Sequence, residues 1–403
     1  MQERSFDQYD VCIVGASIAG NYLTYLLSKS NLRIAVLEDH KEIGLPFQCA
    51  GIISEKLSKL IELPREIVLN RVNTAKIVSP SGKFIKLSGN EQPYIVDRIK
   101  LDRLFYNKVK ENPNITYYLA ERFKSFEYRI EDGKKYLLIE TSKRKIIAKM
   151  LIGCDGPLSL VGKQLNVKND VIFASQIRIK ANFYDHEAVM YFDPQWKQLF
   201  GWIVPERNHI YRIGIASAKN VNKCFKRFLN ELSVDMDDKV DQQGGIIPYG
   251  VMNKLAFDNV LLLGDAAGQV KATTGGGIVM LLTAAKYASN CIHRCFEEEN
   301  FSKRIIQKYY EKPCSQTIGR ELKLHFIIRI ILENFRNRDY EIFFKIIKEN
   351  KIEHLISFYG DMDFPKALVI KLLRNRTVLS FMFKFLIKNP LIIFKILKLF
   401  IKN

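Results

Sequence analysis

The stretch Asp10-Val11-Cys12-Ile13-Val14-Gly15-Ala16-Ser17-Ile18-Ala19-Gly20 decides the fold. It opens as an apolar run of strand length, passes through a glycine turn and enters an apolar helix predicted from about Asn21 to Ser30. A second strand is predicted at residues 33–37 and ends in Glu38. Strand, tight turn, helix and strand in that order form a β-α-β unit, and the glycines fall where a dinucleotide fingerprint belongs. Gly15 permits the tight turn and Gly20 lets the helix pack close to the strand. The free amides that open the helix, around Ser17 and Ala19, together with the helix dipole, suit a pyrophosphate. A carboxylate at Glu38 can accept both ribose hydroxyls and would repel a 2′-phosphate. Ser17 replaces the middle glycine of the fingerprint; its Cβ crowds a phosphate, while its hydroxyl can bond one. Reading Ser17 as a hydrolase nucleophile requires glycine two residues to either side, and position 19 is alanine.

Outward from this unit, the chain turns strand-rich between Leu69 and Val96, with turns at 80–82 and 88–90, and a helix is predicted from Leu101 to Val109. Strands return near 115–119, 137–141 and 146–152, and residues 172–216 again read as sheet. Two further strands end in an acidic residue beside glycine: Met150–Gly156 with Asp155, and Val260–Gly268 with Asp265. Strand ends of this kind commonly hold ribose or ribityl hydroxyls. A long helix is predicted from Ile278 to Phe296, and the chain beyond Phe301 reads as helical and increasingly basic. The predicted fold class is α/β: a Rossmann-like domain with a parallel sheet, interleaved with an antiparallel β-sheet domain, plus a helical C-terminal region. The dinucleotide-binding parts are expected at 1–75, 95–165 and 255–300, the β-rich substrate domain at 76–94 and 166–254, and the helical basic region at 301–403.

The order of these motifs resembles flavoproteins of the p-hydroxybenzoate hydroxylase fold. The resemblance rests on the fingerprint, Arg98 and Asp102 in VDRIKLDRLF, the Cys154-Asp155-Gly156 strand end and the GDAAG strand end at 264–268. It implies FAD as cofactor, with Asp265 on the ribityl chain and Arg98 in contact with the cofactor. Three further segments resemble the geranylgeranyl reductase family: Gly44-Leu-Pro-Phe-Gln-Cys49-Ala50-Gly51, the loop Gly268-Gln-Val-Lys-Ala-Thr-Thr-Gly-Gly-Gly277, and the strand Phe200-Gly-Trp202-Ile-Val-Pro205. The resemblance spans about residues 8–300. It implies an FAD-dependent reductase that saturates isoprenoid double bonds of membrane lipids or their prenyl precursors, supplied with electrons by NADPH, ferredoxin or another reduced carrier. The same fold also supports a flavin-dependent hydroxylase or epoxidase, and a membrane-tethered flavin electron carrier is a third reading.

Isolated prenyl alkenes are electron-rich. Protonation at the less substituted carbon gives a tertiary cation, which hydride from flavin N5 can quench, so the site must be dry and apolar and must have a proton source. Cys49 stands at the right motif. An ordinary thiol is protonated at neutral pH, so Cys49 can donate a proton, relay one, or pack against the ring. Backbone amides of Gly275, Gly276 and Gly277, leading into the helix that starts at Ile278, suit the negative charge of a reduced flavin. Phe200, Trp202 and Pro205 are candidates to line an isoprenoid channel, and Cys49 and Ala50 to border the flavin. Cys291 and Cys295 fall on one helix face and read as packing.

The 403 residues carry a net charge of +19, which calls for an anionic partner. From Phe364 to Asn403 there is no acidic side chain, while Lys366, Lys371, Arg374, Arg376, Lys384, Lys388, Lys395, Lys398 and Lys402 alternate with Phe, Leu and Ile. Pro390 divides this segment into two amphipathic pieces that suit the headgroup layer of an acidic bilayer. Packing of the same helices on their own domain is the alternative. So many exposed Phe and Ile argue against nucleic acid. The seven cysteines form no Cys-x-x-Cys pair and the six histidines are scattered, so no metal site is expected and a reducing compartment is. The N-terminal residues lack the shape of a secretory signal. A cytoplasmic protein, peripheral on the inner face of the cell membrane, is the expectation.

Overall fold

A computed structural model describes residues 6–401 except 90 and 132, so Asn90 of the 88–90 turn and Lys402 lie outside the described residues. Strand β1 (Asp7–Val14) leads through the glycine turn into helix α1 (Ile18–Leu27), which returns to strand β2 (Ile34–Leu37). β1 pairs in parallel with β2 on one side and with Lys145–Gly153 on the other. Ile115–Tyr118 and Val260–Leu262 extend the sheet outward, again in parallel. An antiparallel pair, Phe123–Glu131 and Lys134–Thr141, and the short strand Ala256–Phe257 complete eight strands. Val11, Cys12 and Ile13 are fully buried, as a strand covered on both faces must be. Helix α1 packs against α2 (Arg98–Val109) and α3 (Ile278–Glu297). Both α1 and α2 start three residues earlier than the sequence pattern suggests. Ser17 takes the N-cap position of α1, and the Asp97 carboxylate accepts the Lys100 N–H at 3.1 Å to start α2.

The second sheet has seven strands, in the order Lys239–Pro248, Val171–Lys180, Ile210–Ser217, Gly201–Pro205, Glu187–Tyr191, Thr74–Val78, Phe84–Leu87. All its pairs are antiparallel except Thr74–Val78 with Glu187–Tyr191. Trp202 lies opposite Gly214, where a Cβ would stand 2.5 Å from the indole; glycine there gives the ring its place. A small sheet of Ile52–Ile53, Tyr94–Val96 and Val68–Arg71 joins the two large ones.

Beyond residue 300 the chain is helical. Helix α4 (Arg320–Leu332), α5 (Arg376–Lys388) and α6 (Pro390–Ile401) enclose an apolar cluster with Ile85 of the second sheet. Val378, Phe381 and Phe385 bury one face of α5, whereas Leu379, Phe383 and Ile387 on the opposite face are at least half exposed. Pro390 cannot continue α5, and α6 leaves at 97°. Among the described residues no single helix is long and apolar enough to cross a membrane; α5 and α6 together pass such a test by length and composition only. Cys291 and Cys295 are buried in α3, as a packing role requires.

Candidate functional site

The glycine turn is fixed from three sides. Gly15 adopts φ +102°, and a Cβ on it would stand 2.4 Å from the Cys154 carbonyl oxygen of the neighbouring strand. A Cβ on Gly20 would stand 1.9 Å from the Gly15 oxygen. The Asn21 side-chain amide donates to the carbonyls of Ala16 and Asp102 at 2.6 and 2.9 Å. At the mouth of α1, the Ile18 N–H donates to the Asp102 carboxylate at 2.9 Å, while the N–H groups of Ser17 and Ala19 find no protein acceptor among the described residues. Glu38 ends β2 and accepts the Ala16 N–H at 2.8 Å and the His40 N–H at 3.0 Å. Its carboxylate therefore both braces the turn and borders the cavity.

That cavity measures about 1110 Å³ and runs from Glu38 past the turn to the second sheet. It exceeds the ~300–1,000 Å³ of most ligand pockets and holds room for a dinucleotide with a second ligand. Of the residues expected at the site, Gly15, Ser17, Ala19, Glu38, Cys49, Ala50, Arg98, Asp155, Asp265, Gly275, Gly276, Gly277 and Ile278 line it. Gly20 lies beneath the turn, in the packing role its position calls for. Asp155 is differently employed from a free ribose acceptor. Its oxygens accept the Ser159 hydroxyl at 2.5 Å and the N–H groups of Leu160 and Val161 at 2.7 and 3.1 Å, which starts the short helix Leu160–Gln164. Asp265 keeps its carboxylate free of protein donors among the described residues. Burial pushes it up to about 6, with Arg98 opposing the rise.

The Cys49 loop and the glycine-rich loop both line this cavity. The Cys49 sulfur accepts the Gly51 N–H at 3.2 Å, and Arg98 Nη1 lies 3.7 Å away. Arg98 Nη2 donates to both oxygens of Asp102 at 2.8 and 3.1 Å, and the buried Nε has no partner among the described residues. Burial opposes the Arg98 charge, but Asp102 beside it more than offsets that cost and keeps the guanidinium charged. Gln176 ties the loop to the second sheet. Its amide donates to the Cys49 carbonyl at 3.2 Å and accepts the Trp202 indole N–H at 2.7 Å. Phe200, Trp202 and Val204 point into the cavity. Pro205 does not line it, which corrects its assignment as a channel residue. A strand alternates faces with period two, so 200, 202 and 204 share one side and Pro205 takes the other.

These features are what a dinucleotide flavin requires, and an independent comparison agrees: the family model described as "FAD binding domain" matches residues 8–280. The chain belongs to this FAD-binding family. Two curated relatives extend the likeness beyond the cofactor domain. A digeranylgeranylglycerophospholipid reductase of Methanococcoides burtonii is 28% identical, covering 90% of each chain. Another, of Methanosarcina acetivorans, is 26% identical over 87% of this chain and 91% of its own. Among solved structures, a geranylgeranyl bacteriochlorophyll reductase-like protein of Thermoplasma acidophilum superposes with a TM-score of 0.79 and 21% identity, covering 94% of this chain and all of its own, and shares the fold.

The residues fit FAD. The open Ser17 and Ala19 amides suit its pyrophosphate, Glu38 a ribose, the unpaired Asp265 carboxylate a hydroxyl donor, and the orphaned Arg98 Nε a further acceptor. Bound there, FAD accepts two electrons and can pass them on as hydride. The chain's own part is to position that cofactor, exclude water and present the second ligand.

Sequence reasoning missed a third contributor, the C-terminal region. Residues 356–363 and Leu368 line the cavity in part, through Ile356, Ser357, Gly360, Asp361, Met362 and Asp363. Asp363 pairs with Lys271 of the glycine-rich loop and accepts the Ser54 hydroxyl. His325 and Arg329, one turn apart on α4, grip the same loop. His325 Nδ1 contacts the Thr273 hydroxyl at 2.5 Å, and Arg329 donates to the carbonyls of Ala272, Thr273 and Leu199 at 3.0, 2.6 and 3.1 Å. Burial pushes the His325 ring down to about 4, so it works as a neutral bridge. The available signals were the spacing of His325 and Arg329 on one helix face and the Gly-Asp-Met-Asp cluster just before the acid-free tail.

Proposed function

We propose that this protein is a flavin-dependent reductase that saturates isoprenoid double bonds of lipids by adding a proton and a hydride. The observation that carries the reading is the apolar half of the cavity, where Val72, Ile77, Leu87, Met190, Leu199 and Ile247 join Phe200 and Trp202 and lead to the ring end at Cys49 and Gly275–Gly277. An uncharged branched chain fits such a wall, and the dry surroundings suit chemistry through a carbocation. Two relatives named for this activity on digeranylgeranylglycerophospholipids, matched over about nine-tenths of their lengths, support the same substrate class. The two N–H groups aimed at the Cys49 sulfur support a positioning role for that residue. In an anaerobic mixture of the dithionite-reduced protein with digeranylgeranylglycerophospholipid, mass spectrometry is expected to show two hydrogens gained per saturated bond. An unchanged lipid mass, or oxygen insertion once air is admitted, would exclude the reductase.

We infer, further, that α5 and α6 rest on an anionic bilayer. Leu391, Phe383, Ile387, Phe400, Phe394 and Leu397 are all more than half exposed, although both helices also bury a face within the protein. Lysines flank these residues and no carboxylate does. The full-length protein is expected to co-sediment with vesicles containing phosphatidylglycerol, and replacement of both Phe383 and Phe394 by Glu to leave it in the supernatant. Equal sedimentation of the two proteins would refute the docking surface.

A further inference from the structure

Lys271 is buried, 5% exposed, yet it lines the cavity. Its ammonium has three N–H groups. One goes to the Met362 carbonyl at 3.0 Å and one to the buried carboxylate of Asp363 at 2.5 Å. The third has no protein acceptor among the described residues. A Cβ built on Gly276 would lie 3.6 Å from Lys271 Nζ, so the charge sits directly beside the middle glycine of the triple-glycine segment.

Stability alone gives this pair little reason to exist. Burying two charges is costly, and apolar residues of similar volume usually hold such a contact as well or better. The glycine-rich loop is already tied to the helical region by His325 and Arg329, and the neighbouring Asp361 has its own partner in Lys56 at 2.8 Å. The feature peculiar to Lys271 is that its cation lies beside Gly276 and borders the cavity. Arg98, the other buried cation of the cavity, is matched by Asp102, whose two oxygens share the Arg98 Nη2. The charge of Asp363 is divided between Lys271 and the Ser54 hydroxyl. Of the other carboxylates lining the cavity here, Asp361 and Glu91 are paired with Lys56, and Asp265 lies beyond Gly277. Two-electron reduction places negative charge on the flavin pyrimidine, and a preorganised cation in a dry site stabilises such charge far more than water does.

We propose that Lys271 is the fixed cation of the redox site, and that Asp363, from the C-terminal region, holds it in place. The helical region thereby sets the reduction potential as well as walling the cavity. This rests on the FAD assignment.

The test uses full-length, FAD-loaded protein and its midpoint potential in an anaerobic dye-equilibrated titration, with flavin content and melting temperature measured alongside. Lys271→Gln keeps a donor for the Met362 carbonyl and removes the charge; its potential is expected to shift negative. Lys271→Arg keeps the charge and should remain near the wild-type value. Asp363→Asn frees the cation and should shift the potential positive even if the glutamine variant fails to fold. An unchanged potential in Lys271→Gln, equal shifts in the Gln and Arg variants, or a negative shift in Asp363→Asn overturns the proposal. A wild-type protein that retains no flavin overturns the cofactor assignment with it.

Discussion

Gly20→Ala is expected to abolish FAD retention and to lower stability by about 3 kcal/mol or more, beyond the usual range for overpacking. The added methyl would stand 1.9 Å from the Gly15 oxygen, 3.1 Å from its carbonyl carbon and 3.3 Å from Ile13 Cγ2. Two of these neighbours are backbone, which cannot rotate away. Either α1 lifts off the sheet or the turn opens, and both movements displace the Ser17 and Ala19 amides from the cavity. Gly82 supplies the control. It also has a positive φ, of 81°, but nothing lies within 4 Å of its would-be Cβ. Gly82→Ala therefore carries only backbone strain, about 1 kcal/mol, and should retain its flavin. Absorbance near the flavin maximum per mole of protein, with melting temperature, reads both variants. A Gly20→Ala protein with full flavin content would show that the turn is not the pyrophosphate cradle.

The parts of the site legible in the sequence are those built from neighbours along the chain. β1, the turn and α1 obey local rules, so Gly15, Gly20 and Glu38 could be placed before any coordinate was known. An acidic residue beside glycine at a strand end also pointed to Asp265, and the glycine run opening a helix pointed to Gly275–Gly277. Asp155 shows the limit of such reading: an acidic residue at a strand end serves equally to start a helix, and Ser159 four residues on is the partner in that role. Pro205 was assigned with Phe200 and Trp202 because the motif is contiguous, whereas strand geometry separates odd from even positions. The clamp formed by Lys271, His325, Arg329 and Asp363 was hidden for a different reason. Asp363 meets Ser54 across 309 residues and Lys271 across 92. No local pattern encodes such pairs. The tail's conspicuous signal is its charge, carried by lysines after Phe364, whereas the two aspartates that reach the cavity stand just before it.

Glu206→Ala is expected to be the most damaging substitution outside the cofactor turn. The Glu206 carboxylate, on a residue 4% exposed, receives Arg178 Nε and Nη2 at 3.0 and 2.9 Å and also Arg212 Nε. Arg178 keeps a second partner in Asp241 at 2.8 Å, but Arg212, 2% exposed, has no other carboxylate among the described residues. Its remaining donors go to the carbonyls of Ala50 and Val96 at 2.9 and 3.2 Å, and its guanidinium lies 5.0 Å from the Phe47 ring. Removing the carboxylate strands a buried cation, at about 3–5 kcal/mol. For a chain of this length that is a fall in melting temperature on the order of 5 °C. The damage also reaches the ring end, since Arg212 anchors the loop that carries Cys49. The pH dependence has a definite sign. Burial raises the Glu206 carboxyl, but Arg178 and Arg212 together pull it below the ordinary glutamate value. Its contribution is therefore complete above about pH 4.5, the unfolded value. It is lost as pH falls through the depressed folded value. Melting temperature measured from pH 7 down to pH 3 should drop less steeply at the acid end in Glu206→Gln than in the wild type. Parallel curves, or a Glu206→Ala protein melting within 1 °C of the wild type (roughly the resolution such a shift demands), would mean that the two guanidiniums do not depend on this carboxylate.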